Sequence, residues 1–266
     1  MDINALKQRL GEISGKNKKN NNLWKPNEGK QIIRLVPCKD NPDNPFNELR
    51  FHYGLNGKNW LSPATYGRPD PVLEFANKLK QTGNSDDYNL AKDFFPKMRI
   101  YAPVIVRGEE GEGVRYWGFG KKVYQELLGF ISDEDYGDIT DMKEGNDITV
   151  EYIPKEQSGK NFPETVIRVK PKKTVVGDSD VVDAIKNQPS IKDIFDEKSY
   201  DELKDALESH INPEAGEVED TDDEVVVVEQ KVTETSKDDD APAVSSKAPK
   251  AASSNVGTDF DKLFDV

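Results

Sequence analysis

Apolar residues alternate with polar ones in several stretches of this chain and recur at helical spacing in others, with Gly, Pro and Asn turns between them. Residues 30–37, KQIIRLVP, predict a first strand. Residues 49–54, LRFHYG, predict a second, ending near an Asn56-Gly57 turn, after which Trp60 and Leu61 resume extended chain. The stretch 98–107, MRIYAPVIVR, and its return 114–119, VRYWGF, form the clearest hairpin, joined by GEEGEG. A second hairpin pairs 147–153, DITVEYI, with 164–170, ETVIRVK, around Ser158-Gly159.

Helical spacing places Ile3, Leu6, Leu10 and Ile13 on one face of residues 3–13. It does the same for Val72, Phe75, Ala76 and Leu79 in 72–81, and for Val123, Tyr124, Leu127 and Leu128 in 121–131. Residues 180–187 and 199–209 also read as helices, the second with Leu203, Ala206 and Leu207 on one face. Pro63, Pro69 and Pro71 interrupt regular structure before the second helix.

Five or six short antiparallel strands broken by one or two helices predict a mainly β fold with short helices. An OB-fold-like Greek-key barrel core fits this order, and a generic all-β or α+β domain fits it nearly as well. The expected organisation is a basic arm over 1–20 and a core over 21–175 with a helical or loop insertion at about 60–95. An acidic helical segment over 176–212 and a disordered acidic tail over 213–266 follow. Within the tail, VVVV at 225–228 suits pairing with an exposed sheet edge. The closing DFDKLFDV sets Phe260, Leu263 and Phe264 at i, i+3 and i+4 among carboxylates, the pattern of a docking peptide.

Charge divides the chain. Residues 1–175 hold 28 Lys and Arg against 25 Asp and Glu, whereas 176–266 hold 9 against 25. The net charge of −13 averages a mildly basic, aromatic-rich body with a strongly acidic extension, the arrangement expected of a polyanion binder. No run of 18 apolar residues suggests a membrane helix, and the first 20 residues lack a signal-peptide core. Cys38 is the chain's single cysteine, which fits a reducing compartment; with His52 and His210 it cannot make a structural zinc site.

Catalytic signatures are absent. GFGKK at 118–122 lacks the spacing of a phosphate loop, and DEDYGD at 133–138 lacks that of a calcium loop. No cofactor, metal or enzymatic activity is expected; a nuclease would need carboxylates placed for a divalent metal. What stands out is cations interleaved with rings: Trp60, Tyr66, Arg99, Tyr101, Arg107, Arg115, Trp117, Phe119, Lys121 and Lys122. Cations that track phosphates and rings that stack on bases hold a single strand without reading its sequence. These residues are expected to line one cationic trough. Strand alternation puts Arg115 and Trp117 on one side and Tyr116 on the other, one set packing the core.

The segment YAPVIVRGEEGEGVRYWGFGKKVYQEL, with KQIIRLVPCKDNPDNPF before it, resembles the single-stranded-DNA-binding replication proteins of large tailed bacteriophages, over roughly residues 20–175. The resemblance implies an OB-fold core with a positive cleft, and sequence-independent, cooperative binding and protection of single-stranded DNA in phage replication, recombination and repair within the host bacterial cytoplasm. It implies self-association through the basic N-terminal segment, here Lys7, Arg9, Lys16, Lys18 and Lys19, and recruitment of phage replication and recombination proteins by the acidic tail. Best-known members hold zinc through a His and Cys-Pro-Val-Cys. Here the matching stretch reads TYGRPDPVLEF, with Tyr66 in the histidine's place and Asp70 and Leu73 in those of the paired cysteines. That subdomain is therefore expected to be metal-free and packed by Tyr66, Val72, Leu73 and Phe75. The alternative reading is a non-enzymatic interaction scaffold acting through its acidic tail.

Overall fold

The computed structural model describes residues 22–212. The basic arm with Lys7, Arg9, Lys16, Lys18 and Lys19, and the tail with VVVV, Phe260, Leu263 and Phe264, lie outside the described residues. The chain begins with β1 (Leu23–Trp24), β2 (Gly29–Leu35), β3 (Asn47–Leu55) and β4 (Lys58–Leu61). A 3-10 turn, Pro63–Tyr66, leads into α1 (Pro71–Gln81) and α2 (Ser85–Phe94). Then come β5 (Lys97–Val106), β6 (Arg115–Phe119), α3 (Lys121–Ser132) and β7 (Gly145–Ile153). The one-turn α4 (Lys155–Ser158) precedes β8 (Glu164–Thr174), and α5 (Ser179–Lys186), α6 (Ile191–Ile194) and α7 (Tyr200–Ile211) follow.

Local chemistry fixes the boundaries. Asn56 at φ 54° and Gly57 at φ 71° take the left-handed conformations that a two-residue hairpin turn requires between β3 and β4. Asp70 caps α1 by accepting from the backbone N–H groups of Val72 and Leu73, with Pro71 in the first turn. Ser199 and Glu202 close a capping box on α7.

All eight strands join one sheet, ordered β1-β6-β5-β2-β7-β8, with β3 and β4 branching from β5. The long β5 makes this possible. Its first half pairs with β3, from Phe51↔Lys97 to Asn47↔Tyr101, and its last residues pair with β2, from Leu35↔Val104 to Ile33↔Val106. β6 runs along the opposite edge of β5.

The expectation of a mainly β, OB-type Greek-key barrel is corrected here. About 36% of the described residues are helical against about 30% in strands, and the sheet does not close. Among the described residues, β8 pairs with β7 and with no other strand, and β1 pairs only with β6. Closure needs the terminal strands to meet. Instead α3 packs against β8 and β5 and feeds Val123 and Leu127 into the main core, which also holds Trp24, Ile33, Leu35, Ile100, Trp117, Phe119, Ile148 and Ile167.

The opposite, outer face of the sheet is covered as well. From Val175 the chain crosses it. Val181 and Ile185 of α5 pack on Val36, Ile105 and Val114. Ile191 and Ile194 of α6 then pack on Leu49, Phe51, Leu61 and Tyr116. A further cluster unites α1, α2 and α7 beside Leu55 and Trp60, built on Val72, Phe75, Leu79, Phe94 and Leu207.

Candidate nucleic-acid interface

Residues paired directly across a ladder share a face, so the β3–β5–β6 register puts Leu49, Phe51, Arg99, Tyr101 and Gly118 together on the outer side. Gly118 sits opposite Tyr101, and a Cβ there would approach the tyrosine Cε1 to 2.6 Å; its missing side chain is what lets the ring lie flat on the strand. Phe51 is the hub, with its ring centroid 6.2 Å from Tyr53, 6.1 Å from Tyr101 and 5.1 Å from Phe195. Phe195 itself lies 4.8 Å from Tyr101. Arg99 donates to the carbonyl of Gly118 at 3.3 Å, which leaves most of its guanidinium donors uncommitted. Burial raises the phenols of Tyr53 and Tyr101 above their ordinary value, while the positive charge of Arg99 pulls the other way.

Tyr66 stands at the end of the 3-10 turn, half-buried, with Arg68 and Lys192 each 5.6 Å from its ring centroid. Arg68 also pairs with Glu197 at 2.6 Å. The turn is anchored from below. His52 Nδ1 donates to the carbonyl of Phe94 at 2.8 Å, its Nε2 meets Asp70 Oδ2 at 2.9 Å, and Ser62 donates to the same carboxylate. Burial pushes the Asp70 carboxyl up, but hydrogen bonds from His52, Ser62 and the Leu73 backbone outweigh it and hold it below the usual range. Asp70, at the centre of this polar clasp, stands where the resemblance placed a zinc-binding cysteine. Val72 and Phe75 are fully buried there, while Tyr66 packs with the outer-face cluster and Leu73 is half-buried.

The residues singled out from sequence do not share one trough. Arg99, Tyr101 and Tyr66 meet the outer-face cluster. Trp117, 1% exposed, and Phe119, 3% exposed, face the main core, their rings 4.6 Å apart, with Trp24 5.8 Å from Trp117. Both sides of β6 are buried, because Tyr116 on the outer side donates to the carbonyl of Pro189 at 3.1 Å in the crossing chain. Trp60 is half-buried against the helical cluster, its indole N–H donating to Leu55 at 2.8 Å. Arg107 binds Asp147 at 2.8 Å and the carbonyls of Val175 and Val176. Arg115 pairs with Glu109 at 2.5 Å. Lys122 pairs with Glu164 at 3.1 Å, a carboxylate shared with Lys160 and held below its ordinary range by hydrogen bonds from both, Lys160 first. Lys121 is exposed at the start of α3.

Sequence reasoning missed Arg68, Lys192 and Phe195 as neighbours of these rings. Arg68 lay inside the TYGRPDPVLEF stretch, two residues from Tyr66. Lys192 and Phe195 belong to a segment whose net acidity masked its role, and only the fold brings it onto β3 and β5. Among the described residues, no group of three His, Cys, Asp or Glu is placed to hold a metal ion.

A family model described as gp32 DNA binding protein like matches residues 27–211, the span that carries the outer-face cluster and nearly all of the sheet. No curated protein matches the chain significantly. The chain belongs to this gp32-like family of non-catalytic DNA-binding proteins, and its activity is the sequence-independent binding of single-stranded DNA in phage replication and recombination.

Proposed function

We propose that the single strand lies on the part of the outer face of β3, β5 and β6 that the crossing chain leaves open. There Tyr53, Tyr66 and the part of Tyr101 not covered by Phe195 offer ring surface, and Arg99, Lys192 and, by exchanging Glu197 for a phosphate, Arg68 meet the backbone. The observation that carries this reading is the convergence of three half-buried tyrosines with three cations in one region, the two kinds of group that sequence-independent binding needs. Trp117 and Phe119 support the sheet from behind rather than stack on bases, and Arg107 and Arg115 brace loops. The basic arm, through Lys7, Arg9, Lys16, Lys18 and Lys19, makes binding cooperative by touching the neighbouring copy along the DNA. The tail, with Phe260, Leu263 and Phe264, docks replication and recombination proteins in the host bacterial cytoplasm.

Titration with oligo-dT, followed by anisotropy, tests the placement. Tyr66→Ala removes a stacking platform and weakens binding by about 1–3 kcal/mol. Arg99→Ala removes a phosphate contact and lowers the slope of log affinity against log salt by about 0.7. Wild-type affinity and slope in both variants would place the strand elsewhere.

A further inference from the structure

Four of the cations named so far are already engaged by carboxylates: Arg107 by Asp147, Arg115 by Glu109, Lys122 by Glu164 and Arg68 by Glu197. The edge strand β8 is different. Arg168, Lys170, Lys172 and Lys173 fall within six residues of it, spanning about 17 Å at ~3.3 Å per residue. Three of them are exposed and Lys170 is half-buried, and among the described residues none lies within ion-pair distance of a carboxylate. Lys143, exposed at the turn before β7, adds a fifth charge at the same end of the ladder.

The fold presents these charges outward. Ile167 and Val169 sit opposite Val150 and Ile148 and enter the main core, so Arg168 and Lys170 take the other side. The register then slips. Val169 partners Ile148 while Lys173 partners Asn146, so Lys170, Pro171 and Lys172 stand against Asp147 as a bulge. Pro171 has no N–H for the ladder, and the Asn146 side chain pins the bulge by donating to the carbonyl of Lys170 at 2.8 Å. Carboxylates on this side are committed elsewhere. Asp147 serves Arg107 and Arg34, Glu151 faces Lys30 at 3.7 Å, and Asp141 accepts from the backbone N–H groups of Lys143 and Glu144. Glu144, exposed, is the acidic neighbour in sequence that is not so engaged.

We propose that β8 is a second polyanion site, which holds the sugar-phosphate backbone of single-stranded DNA beyond the nucleotides stacked on the tyrosines. The inference rests on the ring-face placement above. The covering chain connects the two places: it leaves β8 at Val175, crosses the outer face through α5, and ends with Phe195 on Tyr101. A strand that runs off the ring face over the crossing chain, past β2 and β7, arrives at the β8 cations on the sheet edge. The bulge offers charge without rings, the character of a backbone contact rather than a base contact.

The double variant Lys172→Glu/Lys173→Glu, made in the full chain, tests this with oligo-dT of about 6 and about 20 nucleotides, one near the lower end of and one beyond the ~4–16 nucleotides that single-strand-binding modules cover. The expected result is unchanged affinity for the short oligomer. For the long one, affinity falls about tenfold at low salt, and the slope against log salt drops by about 1.4, two lost phosphate contacts at ~0.7 each. No loss for either length overturns the proposal. An equal loss for both also overturns it, being the result expected if the patch instead holds the chain's own run from Glu214 to Glu229, freed by the charge reversal to compete at the ring face. Arg99→Ala separates the two sites. If it weakens neither oligomer while the β8 variant keeps its length dependence, the ring-face placement fails and the β8 contact stands.

Discussion

His52 and Asp70 are almost inaccessible to water and face each other at 2.9 Å. The Phe94 carbonyl can only accept, so His52 Nδ1 carries a hydrogen, and the Asp70 carboxylate meets Nε2 at 2.9 Å on the other side of the ring. Removing the carboxylate leaves the buried His52 Nε2 without its partner. Asp70→Ala is expected to cost about 2–4 kcal/mol, read from urea unfolding. It also removes the Ser62 contact and the cap of α1. The pH dependence has a definite sign. The folded carboxyl lies below the unfolded value of 3.8, so its contribution is complete above that value and drains away as pH falls through the folded one. The stability gap between wild type and variant should therefore narrow from about pH 7 to about pH 3. A gap that stays constant would assign the loss to packing rather than to the ionised carboxylate.

At the scale of elements, the crossing chain from Val175 to Phe195 decides what the outer face of the sheet can do. Phe195 covers Tyr101 and Phe51, and burial of this kind raises the Tyr101 phenol above its ordinary 10.0. Phe195→Ala should cost about 2 kcal/mol, less than the ~3–5 of a fully buried ring because Phe195 is only half-buried. Spectrophotometric titration of the variant should show one tyrosine moving down toward 10, and an unshifted Tyr101 would mean that the strand beneath, not the ring above, keeps water away. The same crossing explains what the sequence could and could not reveal. Strands β2, β3, β5, β6, β7 and β8 were legible because each shows alternation or a β-branched run between turn residues, and the main helices because apolar residues recur at their spacing. α2 was missed: SDDYNLAKDF buries only Ala91 and Phe94, too few to make a stripe. Barrel closure was misjudged because strand patterns specify faces, not whether two distant edges meet or a helix such as α3 intervenes. The site suffered in the same way. One side of β6 was expected to face solvent, yet residues some 70 positions later bury Tyr116, and local spacing carries no trace of that contact.

Considered whole, the molecule binds a polyanion while itself being negative. The described residues hold 27 Lys and Arg against 33 Asp and Glu, so attraction to DNA comes from where cations cluster and not from the net field. The tail, residues 213–266, adds 15 acidic against 5 basic residues, and removing it takes the net charge from −13 to −3. Such a change acts in two separable ways. A diffuse negative field slows the approach of DNA, an effect that reaches ~30 Å at 0.01 M salt and only ~3 Å at 1 M. Direct occupation of a DNA contact by tail carboxylates lowers affinity even where long-range attraction is screened. If the field dominates, the truncated chain should associate with oligo-dT on the order of tenfold faster at low salt, with the advantage vanishing near 1 M while dissociation rates match throughout. Stopped-flow association at graded salt reads this directly. An advantage that persists at high salt would assign the tail to a contact on the DNA-binding surface, and the first places to look for it are Arg68, which already accommodates the carboxylate of Glu197, and the uncommitted cations of β8.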